Sequence, residues 1–307
     1  MIRIALLSAC LLAPLLQAQE QVARLNVTTA SGFADYGYSV AVDGNVALVS
    51  APDDANPLNY TGAVYVFRKK ATGWVEEAKL SGKGTTLHSR FGRSVAIQGN
   101  VAVIGAPAHL SKTASGTVFV FRFNGKTWVE EAQIVRGGWG GESVAIDGSR
   151  IAFGASWTSL SGAQYCGAAW VFRHTSQGWV EEGMLTAKDA YASDHLGNSI
   201  AIQGTTVLVG ASWEGDAHLQ KYVIGAVYHF ELENGKWVEK QKLRASNFAE
   251  QSYFGASLAM DQGVAVIGSP GKKPGGAAYV FRRAASGWVE EIKLRGPSPD
   301  KYGRAVA

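Results

Sequence analysis

Few residues in this 307-residue chain have the types and the spacing that catalysis requires. Asp194 and His195 are adjacent and form an acid and base pair by residue type, and His88 occupies a comparable place earlier in the chain. Adjacent positions do not by themselves bring two side chains together, and neither a nucleophile elbow nor a metal-spaced histidine pair accompanies them. We therefore interpret these histidines as surface loop residues and expect the protein not to be an enzyme.

A second group of residues, aromatic side chains beside carboxylates, is typical of sites that bind proteins or carbohydrates. They occur in segments of variable length and composition, where binding residues are usually found. The candidate ligand-binding residues are Asp53, Asp54, Tyr60, Trp157, Tyr165, Trp213, Asp216 and His218. The alternative interpretation is that these loop aromatics pack against neighbouring parts of the fold.

The element that must position these residues is an internal repeat. Residues 36–52 recur as 91–107, and three further copies begin near Gly141, Leu196 and Phe254. Each copy contains four apolar runs separated by turn residues, a pattern that predicts four antiparallel strands. The predicted units span about 36–80, 91–134, 139–185, 196–243 and 254–294, with a partial unit at 302–307.

The turns and charges within a unit predict how its strands are arranged. Asp43-Gly44 and its equivalents favour a tight hairpin between the first two strands. The fourth run, residues 75–80, carries charges within a β-forming segment, which is typical of a protected outer edge. Such a unit is a propeller blade. We expect inter-blade or core packing from the recurrent tryptophans, Trp74, Trp128, Trp179, Trp237 and Trp288.

The motifs Phe91-Gly92 and Gly105-Ala106-Pro107 resemble the FG-GAP repeat that builds the β-propeller of integrin α subunits. The resemblance implies a first strand that lines the central channel and a fourth strand that faces outward. The calcium-binding form of this repeat has an acidic loop between the first two strands, whereas this chain has only Asp43-Gly44-Asn45 or its equivalents. One carboxylate cannot replace a cage of oxygen ligands, so we predict no metal site and no cofactor.

The repeat predicts an all-β propeller with five complete blades and partial blade strands at both termini. Residues 22–25 resemble the end of a fourth strand, and residues 302–305 resemble the start of a first strand. Related propellers commonly have seven blades. We therefore expect the chain to be a truncated product or a fragment of a six- or seven-bladed ring.

The N-terminus predicts export. Arg3 precedes an apolar run of about a dozen residues, which is typical of a signal peptide, here residues 1–18, and is too short to span a membrane. The alternative is a lipobox ending at Cys10. After removal of the leader Cys166 stands alone, so no intrachain disulfide is expected. The propeller then occupies residues 19–307, and we expect it to be secreted, periplasmic or on the surface of a bacterial cell.

The charge pattern predicts that nucleic acid is not a partner. The formal charge of +4 is dispersed among glutamates, with no basic patch interleaved with aromatics. We expect an extracytoplasmic binding or adhesion module whose variable loops contact a protein or a carbohydrate. The alternatives are a propeller enzyme acting on glycans, such as a lyase or hydrolase, and a purely structural repeat of a larger surface protein.

Overall fold

The structure, a computed structural model, describes residues 24–27, 35–54, 61–107, 115–215, 223–247, 250–271, 275–295 and 302–307. They form five antiparallel sheets of four strands each. These sheets are the blades of a β-propeller, which confirms the predicted all-β fold class. In these residues no helix is long and apolar enough to cross a membrane. The predicted leader 1–18, with Cys10, lies outside them.

Each of the five complete predicted units corresponds to one blade, although β8 and β20 extend past the predicted ends of their units, to Gly137 and Arg295. Blade 1 consists of β1 (Val40–Asp43), β2 (Val46–Ala51), β3 (Ala63–Lys70) and β4 (Gly73–Leu80). Blade 2 consists of β5 (Ser94–Gln98), β6 (Val101–Pro107), β7 (Ser115–Phe123) and β8 (Trp128–Gly137). Blade 3 consists of β9 (Ser143–Asp147), β10 (Arg150–Ala155), β11 (Ala168–Thr175) and β12 (Gly178–Leu185). Blade 4 consists of β13 (Ser199–Gln203), β14 (Thr206–Ala211), β15 (Ala226–Glu233) and β16 (Lys236–Leu243). Blade 5 consists of β17 (Ser257–Asp261), β18 (Val264–Ser269), β19 (Ala277–Ala284) and β20 (Gly287–Arg295).

The strands of each blade lie side by side in chain order. The first strands of successive blades contact one another, so they form the inner side of the propeller. The fourth strand is the outer edge, as its charged residues predicted. In every blade a bulge interrupts the pairing of the third and fourth strands, next to Phe67 in blade 1, and such bulges discourage an outer edge from pairing with another chain.

The glycines of the repeat allow the backbones of successive blades to touch. A Cβ atom added to Gly154 of blade 3 would lie 1.8 Å from the carbonyl oxygen of Gly197, which begins blade 4. Gly197 has φ +101°, which side chains rarely adopt, and its amide donates to the carbonyl oxygen of Gly210 in its own blade at 2.8 Å. The contact with the start of the next repeat recurs, at 1.9, 2.2 and 2.0 Å, for Gly105, Gly210 and Gly268.

A serine at the start of the first strand adds a hydrogen bond to the same junction. Ser143 Oγ donates to the carbonyl oxygen of Gly197 at 2.8 Å, and equivalent bonds to the next repeat come from Ser94, Ser199 and Ser257. The acceptor for Ser257 is Gly303, at 3.0 Å. Residues 302–307 therefore contact blade 5 in the way that the start of a following blade would, although they form no strand.

Apolar clusters fill the spaces between blades. Val46 and Leu48 of blade 1 pack with Val95 and Ile97 of blade 2, and comparable clusters join each later pair of blades. At the periphery Trp128 Nε1 donates to Glu77 of the preceding blade at 2.8 Å. Trp179 makes the same bond with Glu131 at 2.9 Å, so the recurrent tryptophans take part in inter-blade packing, as predicted.

The tight turns between first and second strands also connect blades. Asp43 accepts a hydrogen bond from the Gly99 amide at 2.5 Å, and Asp147 accepts one from the Gly204 amide at 2.5 Å. Gln98 accepts one from the Gly148 amide at 2.6 Å. The turn aspartates thus join neighbouring blades.

The outward faces of the first and last blades are more exposed than their equivalents between blades. Val40 and Val42 of blade 1 are each 66% exposed, whereas Val95 of blade 2 is 8% exposed. On blade 5 Leu294 is 37% exposed, against 2% for Leu243 of blade 4. Leu25 and Val27, in the described N-terminal segment 24–27, pack against blade 1 without forming a strand.

Candidate functional site

The residues at two positions of each repeat differ between blades and lie on one face of the propeller, which we call the loop face. It bears the connections between second and third strands and those between successive blades. The first position immediately precedes the glycine motif, and its residues are Asp35, Arg90, Trp139, His195 and Tyr253. The second follows the end of the second strand, and its described residues are Asp53, Trp157, Trp213 and Gly271.

In blades 3 to 5 the residues at these two positions, together with Tyr165 of the loop between β10 and β11, bring aromatic rings into one continuous row, the aromatic arc. The arc comprises Trp139, Trp157, Tyr165, His195, Trp213 and Tyr253. Trp139 stacks on Trp157 with ring centroids 4.7 Å apart, and Trp157 contacts His195 at 4.8 Å. His195 contacts Trp213 at 5.7 Å, and Trp213 contacts Tyr253 at 5.7 Å. Tyr165 lies 5.2 Å from Trp157 and stacks on His195 at 6.4 Å, so the rings support one another across three blades.

The arc combines exposed rings with a strained backbone. Trp157 and Tyr165 are each 37% exposed and Trp213 is 51% exposed. Trp139, His195 and Tyr253 have φ of +65°, +55° and +53°, which costs each about 1–2 kcal/mol relative to the usual conformation. Glycine would relieve that strain, yet all five described copies of this position carry a side chain. Strained backbone conformations of this kind are most common at ligand-binding and active-site residues.

A polar group, the mouth cluster, lies beside the arc at the inner end of the loop face. It comprises Tyr38, Arg93 and Glu142, which occupy one repeat position between the glycine and the serine of the motif. Asn198, at the same position, instead donates to the Gly255 carbonyl oxygen and accepts a hydrogen bond from the Ser212 amide. The Arg93 guanidinium lies over the Tyr38 ring, 4.7 Å from its centroid, and faces the charge of Glu142. Burial raises the pKa of Glu142, whose carboxylate accepts a hydrogen bond from Ser156.

Ser156 connects the mouth cluster to the arc. Its carbonyl oxygen lies 3.1 Å from His195 Nδ1, and its chain neighbour is Trp157. A carbonyl only accepts, so Nδ1 carries the hydrogen and Nε2 is the acceptor of a neutral imidazole. Burial lowers the pKa of His195, which favours this neutral form.

Asp194 and His195, adjacent in the chain and an acid and a base by residue type, bond to different groups. The Asp194 carboxylate is buried and accepts a hydrogen bond from the Tyr191 amide at 2.7 Å. Burial raises the pKa of Asp194 to about 6. The His195 ring lies in the arc instead.

Asp54 is buried beneath the loop face. Its carboxylate accepts a hydrogen bond from the Tyr65 hydroxyl at 2.6 Å and lies 2.9 Å from Lys79 Nζ. In blade 4 Glu214 occupies the equivalent position and pairs with Lys242 at 2.8 Å. These buried carboxylates anchor their loops to the outer strands of their own blades.

The structure separates the predicted site residues into groups. Trp157, Tyr165 and Trp213 come together in the arc, while Asp53 lies on blade 1, where its carboxylate is 3.7 Å from Arg90. Tyr60, Asp216 and His218 lie outside the described residues. Trp139 and Tyr253 belong to the arc but were not predicted. The signal that could have pointed to them is their shared position, directly before the glycine motif of a repeat.

No group of three His, Cys, Asp or Glu side chains placed to hold a metal ion occurs within the described ranges. The Asp43 and Asp147 carboxylates, in the turns where the calcium-binding repeat holds its ion, accept backbone amides of the next blade.

Comparison with solved structures finds matches that include the following two. Sqt1 from Chaetomium thermophilum is 15% identical over 88% of this chain and 74% of that chain, with a TM-score of 0.49. A putative 6-phosphogluconolactonase from Bacteroides uniformis is 12% identical over 84% of this chain and 71% of that chain, with a TM-score of 0.53. That likeness concerns the fold alone. Among curated proteins, none matches the chain in sequence.

The sequence pattern of the FG-GAP repeat matches residues 20–67, 74–121, 179–230 and 237–281, which together exceed half of the chain. The glycines of this motif are the residues at which successive blades touch. The chain therefore belongs to the FG-GAP repeat family.

Proposed function

We propose that this FG-GAP propeller is a binding module that holds an external ligand on the aromatic arc of its loop face. The observation that carries the proposal is the continuous contact of six rings from three blades, of which Trp157, Tyr165 and Trp213 remain exposed. Tryptophan and tyrosine dominate the energetics of binding sites because they bury a large area at a small entropic cost.

The recurrent tryptophans of the blades serve as an internal contrast. Trp288 is 3% exposed, and Trp128 and Trp179 donate their indole N–H groups to glutamates of the preceding blade. Those residues stabilise the scaffold, whereas the Trp213 ring is half exposed on the loop face. An exposed row of aromatic rings on a rigid scaffold is the usual sign of a surface that is covered in the functional state.

The proposal describes binding without turnover or a cofactor. It places the module outside the cytoplasm, because residues 1–18 have the pattern of a signal peptide. Adhesion is the form of binding that such a location favours. Because three blades contribute rings to the arc, the proposed ligand spans blade boundaries.

The test uses two sets of immobilised probes, purified collagen and fibronectin in one set and cellulose, xylan and chitin in the other. We expect saturable binding of the wild-type protein to at least one probe, and at least tenfold weaker binding of a Trp157→Ala, Trp213→Ala double variant. Leu87→Ala is the matched control, because Leu87 is 57% exposed in the connection between blades 1 and 2 and is not a member of the arc. Absence of binding to every probe, or binding unaffected by the double substitution, would refute the proposal.

A further inference from the structure

We propose that the ligand of the aromatic arc is a pyranose oligosaccharide, stacked on Trp157 and Trp213 and hydrogen-bonded by Arg93 and His195. This inference rests on the proposed function and adds the chemical class of the ligand. A pyranose ring has one face of C–H groups and an edge of hydroxyl groups. It therefore requires an aromatic face with polar donors and acceptors beside it.

The composition of the exposed surface favours this ligand over a protein. In the described loops of blades 3 to 5, the large exposed apolar side chains are all aromatic, namely Trp157, Tyr165, Tyr191 and Trp213. The exposed aliphatic side chains of these blades, such as Val180 and Ile292, lie on strands instead. A protein interface of ordinary size buries about 800 Å² on each partner and uses a broader apolar core than a single row of rings.

The rings are held in place before a ligand arrives. Trp157 contacts Trp139, Tyr165 and His195, and Trp213 is supported by His195 on one side and Tyr253 on the other. Because these contacts restrict the side chains already, stacking a sugar on them costs little further conformational entropy.

Two polar groups beside the rings of the arc, the Arg93 guanidinium and His195 Nε2, are available to hydrogen-bond a ligand. The half-buried Arg93 guanidinium stacks on Tyr38 and donates no hydrogen bond to any described residue. His195 offers Nε2 as an acceptor, because Nδ1 is held by the Ser156 carbonyl oxygen at 3.1 Å. A donor and an acceptor of this kind, partly shielded from water, match the hydroxyl groups of a sugar and bind them more strongly than fully exposed groups would.

The charge of the arc agrees with an uncharged ligand. His195 is a titratable ring that contacts both Trp157 and Trp213, and burial lowers its pKa so that it is neutral near pH 7. The equivalent positions on the side of blade 1 carry Arg90 and Asp53, whose opposite charges lie 3.7 Å apart. The charged pair at these positions thus lies on the side of blade 1, whereas Trp157 and His195 occupy the equivalent positions at blades 3 and 4.

The experiment is a screen of the full chain against cellohexaose, xylohexaose and chitohexaose, followed by calorimetric titration with the oligosaccharide that binds most tightly. We expect Trp213→Ala to weaken binding at least tenfold, and Arg93→Met to weaken it about five- to tenfold. Tyr191→Ala is the matched control, since Tyr191 is 69% exposed on the same face but outside the arc. Melting temperatures of all variants identify any loss of folding.

Conservative substitutions separate stacking from general apolar contact. Trp213→Tyr retains an aromatic face and is expected to bind within about threefold of the wild type, whereas Trp213→Leu retains apolar area without a ring and is expected to lose at least tenfold. Equal affinities of these two variants would overturn the inference. So would arc-dependent binding of collagen or fibronectin with no oligosaccharide bound at millimolar concentration, a result that would leave the proposed binding function standing.

Discussion

The substitution Gly154→Ala tests the physical account of how the blades are joined. The added Cβ would lie 1.8 Å from the carbonyl oxygen of Gly197, whereas ordinary contact begins near 3.4 Å, so the two backbones have to separate by about 1.6 Å. Gly154 does not have a positive φ, so the backbone conformation itself accepts alanine. The cost arises mainly from the contact between the backbones of blades 3 and 4, and the added Cβ would also lie 2.6 Å from Ser143 Oγ of its own blade.

The expected loss of stability is set by overpacking, because the added Cβ meets backbone atoms, which cannot change rotamer as a side chain can. We expect a loss of about 3 kcal/mol in the free energy of unfolding, the upper part of the usual range. Separation of the blades also strains the 2.8 Å bond from Ser143 to Gly197. At about 2 °C per kcal/mol for a chain of this size, the melting temperature falls by about 6 °C in differential scanning calorimetry.

Gly137→Ala is the matched control for that measurement. Gly137 ends an outer strand and has no positive φ, and a Cβ added to it would meet no atom within 4 Å. Alanine there is expected to change the free energy of unfolding by less than about 1 kcal/mol, with stabilisation the favoured direction. If both variants melt within about 1 °C of the wild type, the glycine contact does not hold the blades together as described.

Three further predictions concern buried charges and the arc. Asp54→Ala removes the carboxylate that accepts a hydrogen bond from the Tyr65 hydroxyl and pairs with Lys79, and it is expected to cost about 2 kcal/mol in urea denaturation, while Asp53→Ala costs less than about 0.5 kcal/mol; equal effects would contradict the buried role of Asp54. Burial raises the pKa of Asp194 to about 6 from 3.8, so its contribution to stability is present below about pH 4 and lost as the pH rises through 6. Asp194→Asn is therefore expected to be more stable than the wild type by up to about 3 kcal/mol at pH 8 and equally stable at pH 4, and a difference that does not depend on pH would count against this assignment. Since His195 is neutral at pH 7, ligand affinity is expected to stay constant between pH 7 and 8, and a His195-dependent change within that range in calorimetric titration would contradict its lowered pKa.

Much of the blade structure can be predicted from the sequence repeat alone. The alternation of apolar runs and turn residues predicts four strands for each unit, and the charges of residues 75–80 predict the outer edge. The recurrence of tryptophan at one place predicts an inter-blade role, which the bond from Trp128 to Glu77 confirms. These features repeat within the chain, so each copy supports the interpretation of the others.

The candidate site was harder to predict because it depends on contacts between different repeats. Trp157 and Trp213 are far apart in the sequence, and His195, which looks like half of an acid and base pair, is the ring that joins them. From the sequence Asp54 looks like an exposed ligand-binding residue of its loop, but its carboxylate is buried, where it contacts Tyr65 and Lys79 of the adjacent strands. Neither the role of His195 in the arc nor the burial of Asp54 can be inferred from the sequence, because both depend on contacts between residues that are distant in the chain.

The most direct test of the central claim is a fluorine NMR titration of protein labelled with 5-fluorotryptophan, using the oligosaccharide that binds most tightly in the screen. The nine tryptophans include two exposed members of the arc, Trp157 and Trp213, and the five recurrent tryptophans of the blades. We expect the resonances of Trp157 and Trp213 to shift saturably, while the resonances of the recurrent tryptophans stay unchanged, namely Trp74, Trp128, Trp179, Trp237 and Trp288. Saturable shifts confined to the recurrent tryptophans, or no shift at Trp157 and Trp213 under saturating ligand, would contradict it.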